Sequence, residues 1–296
     1  MKNNRKPASR PDWNIKTRRK QWGNMITSKF AGLILLLFLL NRLPVQAQCP
    51  VSNNVFGDGE QIRYLVTYNW GPVWVDAGTV TFTAKSDTYR GKPAWHLIGS
   101  GKSFRSYDML YKVRDYYDSW IDPGTFHSFD FRRNVYEGGY TLLNTLYFDR
   151  QFGRVISNTK CINKPQRTDT MPIRPCTFDM LAAIYYVRTM DFASMKSDQK
   201  TDLTVLIDDA YYDIYIRPLG KEVVEANDGK RYRCQKFAAK MVSGTIFKGD
   251  EDVVVWVSDD ANKVPIYIEA KIIVGTIKAY LKDFKGLKRP FGCIVK

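Results

Sequence analysis

Residues 116–149, YYDSWIDPGTFHSFDFRRNVYEGGYTLLNTLYFD, hold three strand-like runs that are separated by two turn signals. Asp122-Pro123-Gly124 separates residues 116–121 from residues 126–134, and Glu137-Gly138-Gly139 leads into residues 140–149. Aspartate, proline and glycine are residues that favour the backbone angles of a turn. Short strands joined by tight turns are typical of an antiparallel meander, in which each strand pairs with its neighbour in the chain.

The same pattern extends over most of the remaining chain. Apolar or aromatic residues recur at every second position at Ile62, Tyr64, Val66 and Tyr68, which predicts a strand with one buried face. Further strand patterns occupy residues 75–83, 95–101, 203–207, 211–217, 223–226, 232–238, 253–257, 264–270 and 272–281. The run 253–257, VVVWV, is apolar on both faces, which predicts a central strand with Trp256 in the core.

Residues 178–188, FDMLAAIYYVR, have helical spacing instead. Thr177 is expected to cap this helix, with Asp179 in its first turn and Arg188 in its last. A stripe of apolar residues is expected to face the sheet, namely Phe178, Leu181, Ile184 and Tyr185. The sequence therefore predicts a mainly β fold: a large curved antiparallel sheet or open barrel with one covering α-helix, in a single domain over residues 48–296.

Residues 1–47 have the pattern of a cleavable signal peptide. A basic segment ends at Lys29, an apolar run of 11 residues covers 30–40, and small residues precede a cleavage site after Ala47. The apolar run is too short to span a bilayer. These features predict an exported protein of the periplasm or outer cell envelope, peripheral to the membrane at most. They leave open whether Met1 or Met25 is the start and whether Cys49 is lipidated.

The net charge of +15 comes largely from this leader. Residues 1–47 hold ten of the 45 Lys and Arg residues and one of the 30 acidic residues. The remaining chain therefore has 35 basic and 29 acidic residues, a net charge of +6. A nucleic-acid-binding surface requires a dense stripe of Lys and Arg along a phosphate backbone, and no such stripe remains. No nucleic-acid partner is expected.

The sequence offers little material for catalysis. His96 and His127 are the only histidines, and both are interpreted as residues of the sheet or its turns. Phosphate-binding, dinucleotide-binding, nucleophile-elbow and zinc-protease motifs are absent. The acid pairs Asp208-Asp209 and Asp259-Asp260 each lie between two predicted strands, where aspartate stabilises turns. We therefore expect no enzyme, no catalytic residue, no metal site and no cofactor.

Five cysteines are present: Cys49, Cys161, Cys176, Cys234 and Cys293. None forms a C-x-x-C pair, which argues against a zinc site or a redox dithiol. Disulfides are possible after export into an oxidising compartment. Cys161 and Cys176 flank one loop and are the predicted pair. The sequence leaves the oligomeric state open.

One aromatic cluster suggests a ligand site. Tyr68, Trp70 and Trp74 surround the turn at Gly71-Pro72. In this arrangement the rings would present aromatic faces to a sugar or a lipid. The alternative is that the two tryptophan rings cover the end of the sheet.

Seven short motifs lie between Gly59 and Pro290: Gly59-Glu60, Tyr64-x-Val66-x-Tyr68-Asn69-Trp70-Gly71, Val75-x-Ala77-Gly78, Trp95-His96-Leu97-Ile98-Gly99, Lys112-Val113-Arg114-Asp115, Gly244-Thr245-Ile246-Phe247-Lys248-Gly249 and Trp256-Val257-Ser258-Asp259-Asp260. Together they resemble the exported bacterial family DUF3108, which implies no particular activity. The stretch 256–269 also resembles, more weakly, a hairpin of the LolA and LolB lipoprotein carriers. Those carriers close a curved sheet over an apolar cavity with several helices, whereas this sequence has one clear helix.

The leading hypothesis is a non-enzymatic envelope protein that binds an apolar or amphipathic ligand such as a lipid or lipoprotein. The aromatic-rich sheet, the covering helix and the carrier-like hairpin favour it. The alternative is a structural or assembly factor that binds a partner protein. A hydrolase of envelope polymers would require carboxylates clustered in a deep cleft.

Overall fold

The architecture follows from the alternation of apolar residues and the regularly spaced turns. The computed structural model describes residues 51–70, 72–240, 253–272 and 275–295, with only the backbone of Trp70. The predictions on residues 1–50, including the signal peptide and Cys49, and the motif at 244–249 lie outside these ranges. All described residues belong to one compact unit, Ala47–Lys296.

The described residues form 15 strands of a single sheet. These are β1 (Glu60–Trp70), β2 (Val73–Tyr89), β3 (Lys92–Ser103), β4 (Arg114–Ile121), β5 (Ser128–Glu137), β6 (Tyr140–Asp149), β7 (Arg154–Cys161), β8 (Arg167–Pro172), β9 (Thr177–Phe178), β10 (Thr201–Ile207), β11 (Ala210–Glu225), β12 (Arg231–Ala239), β13 (Val253–Ser258), β14 (Pro265–Lys271) and β15 (Thr276–Lys285). A short helix, α1 (Asp108–Tyr111), follows the 3-10 turn Arg105–Tyr107, and the main helix is α2 (Met180–Thr189).

Neighbours in the chain are neighbours in the sheet. The strands run in the order β8 to β1, then β15 down to β9, so that β1 pairs with both β2 and β15. All pairs are antiparallel except β9 with β10. The edge strands β8 and β9 do not pair with each other, and the sheet therefore stays open. The prediction of a large open antiparallel sheet with one covering helix is confirmed.

One strand is longer than the pattern predicts. Residues 211–217 and 223–225 belong to the single strand β11, whose second half pairs with β12, and Ala226 lies just after it. The pairing shifts register between Pro218 and Gly220. A bulge of this kind bends a strand without ending it, so the break in alternation does not become a turn. The turn predicted at Asp208-Asp209 is confirmed, since both residues have left-handed backbone angles.

Asp179, and not Thr177, caps the main helix. Thr177 lies in β9, whereas Asp179 Oδ1 accepts a hydrogen bond from the backbone N–H of Ala182 at 2.9 Å. The other oxygen of Asp179 accepts bonds from the hydroxyls of Ser119 and Ser128 at 2.6 and 2.5 Å. The prediction of Thr177 as the cap is wrong, because the parallel pairing of β9 with β10 keeps the chain extended through Phe178.

The helix lies on one face of the sheet and contacts β3, β4, β9 and β10. Its approach to β3 is close: a Cβ atom at Gly99 would stand 3.1 Å from Leu181 Cδ2. Leu181, Ala182 and Tyr185 are buried in this contact and belong to the main apolar core. Within the described ranges, no helix combines the length and apolarity needed to cross a bilayer.

The predicted disulfide between Cys161 and Cys176 is wrong. Cys161 is a free thiol and accepts a hydrogen bond from Tyr140 Oη at 3.7 Å, whereas Cys176 is bonded in a disulfide. Cys161 ends β7 at its turn into β8, and Cys176 follows β8 at the opposite end of that hairpin, where Pro172 pairs with Arg154. Seven residues of strand separate these two levels by about 23 Å, far beyond the reach of a disulfide.

Candidate functional site

An apolar cavity of about 300 Å³ lies between α2 and the sheet. The helix supplies Met180, Ala183, Ile184 and Val187, and residues of β1, β2 and β10–β14 supply the remaining wall together with Phe192. The sheet side is formed by Ile62, Tyr64, Phe82, Leu203, Val205, Ile207, Ile214, Ile216, Phe237, Ala239, Val253, Val255, Val257, Pro265 and Ile268. A cavity with such a wall fits an apolar ligand.

Strand alternation directs these side chains into the cavity. Val253, Val255 and Val257 line it, whereas Trp256 between them lies on the other face of β13. In β14, Ile268 lines the cavity and Tyr267 pairs with Trp256 on the other face. One face of the apolar run 253–257 therefore lines the cavity, and the other face packs against neighbouring side chains. Trp256 is buried as predicted.

The helix leaves room above the sheet because Ala183 is small. Ile184, predicted to pack on the sheet, keeps 37% of its surface accessible and borders the cavity. The helix packs on β3, β4, β9 and β10, and the cavity lies between it and residues of β11 to β14. The apolar stripe of this helix is thus partly core and partly cavity wall.

A buried ion pair adjoins the cavity. Arg188 lines the wall and donates to Glu60 through Nη1 at 2.6 Å and Nη2 at 3.0 Å. The side chains of Glu60 and Arg188 are 0% and 4% exposed. Arg188 also donates to the carbonyl oxygens of Asn262 at 3.0 Å and Lys263 at 3.2 Å. The pair neutralises its own charge and attaches the end of α2 to the start of β1.

Tyr185 contributes the unusual polar group of this wall. Its side chain is 1% exposed, and its hydroxyl has no hydrogen-bond partner in the described part of the chain. Burial raises the pKa of Tyr185, so the hydroxyl keeps its proton and remains a donor. A buried donor without a partner costs free energy unless a ligand or water satisfies it. Sequence analysis placed Tyr185 on the apolar stripe and missed this property, which periodicity does not reveal.

The predicted ligand residues lie elsewhere. Tyr68 pairs with Val75 and Trp74 with Asn69, so Tyr68 and Trp74 are on opposite faces of the sheet. Neither lines the cavity. Trp74 is 45% exposed, and Lys278 Nζ lies 4.3 Å from the centre of its ring. The side chain of Trp70 is outside the described atoms. The structure therefore does not join Tyr68 and Trp74 into one aromatic surface.

His96 and His127 contact neighbouring side chains of the fold and do not line the cavity. His96 Nε2 lies 2.8 Å from Asp118 Oδ1, and the imidazole stacks on Trp120 with 4.3 Å between the ring centres. Burial, and then the charge of Arg150, lowers the pKa of His127 to about 4. Among the described residues, no group of three or more His, Cys, Asp or Glu side chains is placed to hold a metal ion.

Asp115 and Glu137 form a carboxyl pair on β4 and β5. Asp115 is buried, and its Oδ1 accepts a hydrogen bond from the backbone N–H of Tyr136 at 3.3 Å. Burial, and then the nearby Glu137 carboxylate, raises the pKa of Asp115 to about 7. Neither residue lines the apolar cavity. The pair therefore adds a titrating group to the sheet but not to the candidate site.

Stability should fall as the pH rises from about 4 to about 7 because of Asp115. Its carboxyl ionises near pH 4 in the unfolded chain, whereas the folded protein holds the proton up to about pH 7. Below this window the carboxyl is protonated in both states, and above it ionised in both, so the loss occurs within the window. Urea unfolding at about pH 4.5 and pH 7.5 measures the change. Asp115→Asn should make the dependence smaller, and an identical dependence in this variant would contradict the assignment.

Comparison with known proteins places the fold in a family. Residues 63–282 match the family described as "Protein of unknown function (DUF3108)". The chain belongs to the DUF3108 family. The match contains α2, most of β1 and all strands from β2 to β14, and therefore nearly the whole wall of the cavity. Glu60 and Ile62 lie just before it.

A solved structure supports the same architecture for this DUF3108 protein. The chain is similar to a beta-barrel-like protein of the domain of unknown function DUF1849 from Brucella abortus, at 9% identity and a TM-score of 0.51. The similarity covers 79% of this chain and 100% of the other. At this identity it concerns the fold alone. No curated protein matches the chain.

Proposed function

We propose that this DUF3108 protein is an exported, non-enzymatic binding protein of the cell envelope that holds an apolar chain of a lipid or lipoprotein beneath α2. The observation that carries the proposal is the apolar cavity of about 300 Å³. Close packing normally leaves few voids larger than a water molecule in a core, so a cavity of this size is a ligand site in preference to a packing defect.

The size and chemistry of the cavity favour one acyl chain. Its volume lies at the lower end of small-molecule sites, which suits a single chain better than a whole two-chain phospholipid. Each methylene group that leaves water contributes about 0.8 kcal/mol. Among the described residues, the wall has no Asp, Glu, His, Cys, Ser or Thr side chain, which supports binding in preference to catalysis.

Two groups favour a ligand whose buried polar part is neutral. The Tyr185 hydroxyl is a donor that requires an acceptor, and an ester or amide carbonyl supplies one. The charge of the Arg188 guanidinium is already neutralised by Glu60, and its other hydrogen bonds go to two carbonyl oxygens. A carboxylate buried beside this complete pair would lack a compensating charge. An acylated ester or amide therefore fits the inner end of the cavity better than a free acid.

Replacing Ala183 with phenylalanine tests the site. The ring would occupy cavity volume that about four methylene groups of a ligand need, which removes about 3 kcal/mol of binding free energy. The dissociation constant of the methyl ester of a fluorescent fatty acid should rise by about a hundredfold or more. Fluorescence titration of the unmodified protein and of Ala183→Phe measures this change.

Neighbouring variants serve as matched controls. Both alanines belong to the main core, but Ala183 lines the cavity and Ala182 does not. Ala182→Phe should therefore cost about 1–3 kcal/mol of stability, whereas the cavity gives space to the ring of Ala183→Phe. Tyr185→Phe should weaken ester binding up to about tenfold through loss of one hydrogen bond. Trp74→Ala should leave binding unchanged. If the unmodified protein fails to bind the ester, the carrier proposal falls and the assembly-factor alternative takes its place.

A further inference from the structure

The turns of the meander form a second surface, which is separate from the proposed ligand site. Alternate connections of an antiparallel sheet lie at the same end. The connections β1–β2, β3–β4, β5–β6 and β7–β8 therefore share one end of the sheet, here called the loop rim, which comprises residues 72–76, 102–112, 138–140 and 160–166. The rim is defined by chain topology and does not depend on the cavity.

Large apolar side chains are exposed on this rim. Met109 is 97% and Leu110 69% exposed on α1, and Val73, Trp74, Tyr111, Tyr140 and Ile162 are also exposed. Exposed side chains of this size normally occur singly on a protein surface, and a group of them marks an interaction surface.

Backbone and ring contacts hold the parts of the rim together. The N–H of Phe104 donates to the carbonyl oxygen of Ala77 at 3.0 Å, which attaches the β3–β4 connection to β2 near Trp74. At the other side, the ring of Tyr111 lies so close to Gly138 that it leaves no room for a Cβ atom there. These contacts therefore join the β3–β4 connection to β2 on one side and to the β5–β6 turn on the other.

Most of the exposed charges of the rim are positive, and Asp76 is the exposed acid among residues 72–76. Lys102, Arg105 and Lys112 are exposed, and none forms an ion pair with an acid in the described ranges. The acidic residue within this connection is Asp108, and it is bound to Arg114 at 2.5 Å. Exposed apolar groups flanked by unpaired cations match an anionic lipid surface, where the cations contact headgroups and the apolar groups enter the interface.

We propose that the loop rim docks this protein on an anionic lipid bilayer, with Met109, Leu110 and Trp74 entering the interface and Lys102, Arg105 and Lys112 contacting phosphate headgroups. The cavity wall reaches this end of the sheet at Ala239 and Val253, which flank the β12–β13 connection. The docked orientation therefore turns the cavity end formed by Ala239 and Val253 toward the bilayer. The docking itself does not require the cavity to bind a ligand.

Vesicle binding tests the surface. The protein is recovered from the envelope fraction of cells that express the whole chain and is sedimented with vesicles of equal parts phosphatidylcholine and phosphatidylglycerol. Replacing Lys102, Arg105 and Lys112 together with glutamine should weaken binding by about a hundredfold, and added salt should do the same to the unmodified protein. The pair Met109→Ser and Leu110→Ser should weaken it about tenfold or more. These residues are exposed, so the melting temperature should stay unchanged.

Matched changes at the opposite end of the sheet are the controls. Phe152→Ser removes an equally exposed ring from the β6–β7 turn, and Lys92→Gln removes an exposed cation at the start of β3. Neither should change vesicle binding.

Equal binding of the rim variants and the unmodified protein would overturn the proposal. Loss of self-association in the serine variants, with no vesicle binding by the unmodified protein, would instead make the rim an interface between copies of this chain. The ester titration of the unmodified protein and of Ala183→Phe tests the cavity separately. Loss of the rim effect with ester binding intact would therefore contradict the rim proposal alone.

Discussion

Replacing Arg188 with methionine is expected to lower the free energy of unfolding by about 3–5 kcal/mol. The substitution leaves Glu60, which is fully buried, without its two charged hydrogen bonds. It also removes the donors to the carbonyl oxygens of Asn262 and Lys263, which attach the end of α2 to the β13–β14 turn. Urea unfolding followed by fluorescence measures the change, with the slope of the transition used to test for two-state behaviour.

The double variant distinguishes an unpaired charge from a loss of packing. Adding Glu60→Leu to Arg188→Met replaces the ion pair with apolar side chains, and such replacements are often neutral or stabilising. The double variant should therefore recover most of the loss. A double variant as unstable as the single one would mean that the two carbonyl bonds, and not the charge, hold the helix. A loss below about 1 kcal/mol in the single variant would contradict the burial of the pair.

Replacing Trp256 with alanine is expected to cost about 3–5 kcal/mol. The indole is buried in the central strand β13, with the ring of Tyr267 at 4.6 Å and Lys236 Nζ at 4.7 Å. Its Nε1 donates to Glu222 Oε2 at 2.9 Å. Alanine would leave a cavity and remove the donor to Glu222. Thermal and urea unfolding measure the loss.

Trp74→Ala is the matched control, because Trp74 is exposed at the loop rim. Its loss should cost about 1 kcal/mol or less, mainly through the contact with Lys278. If both variants unfold equally early, Trp74 is structural and cannot be a free contact of the rim. Since Trp74 is proposed to enter the bilayer interface, its variant should also weaken vesicle binding without changing ester binding in the cavity.

The strands were predictable because their signals are local. Alternation at Ile62 and Tyr64 and the turn at Glu137-Gly138-Gly139 depend on residues a few positions apart. The exceptions arise from pairing between strands. The bulge at Pro218 and Gly220 keeps β11 continuous where alternation breaks, and the β9 pairing moves the helix cap to Asp179. β8 was not predicted because its side chains are mostly polar and it lies at the edge of the sheet.

The candidate site was not predictable in the same way. Its wall combines Ala183 of the helix with residues of seven strands, and each strand contributes one to three side chains. Tyr185 was expected to pack on the sheet, and the pattern that placed it there says nothing about its unpaired hydroxyl. Tyr68 and Trp74 are close in the sequence, but the pairing of Tyr68 with Val75 and of Asn69 with Trp74 places them on opposite faces.

The sequence by itself determined that the chain forms a mainly β sheet with one helix, because backbone propensity, alternation and turn chemistry act between near neighbours. It also indicated DUF3108 membership, which the family match confirms. The tertiary structure alone decided that Arg188 meets Glu60 across 128 residues of chain and that Cys161 stays free. It also decided that a cavity lies between the helix and seven of the strands. The physical reason is that these features depend on strand register and sheet curvature, which accumulate over many pairings and which no local pattern encodes.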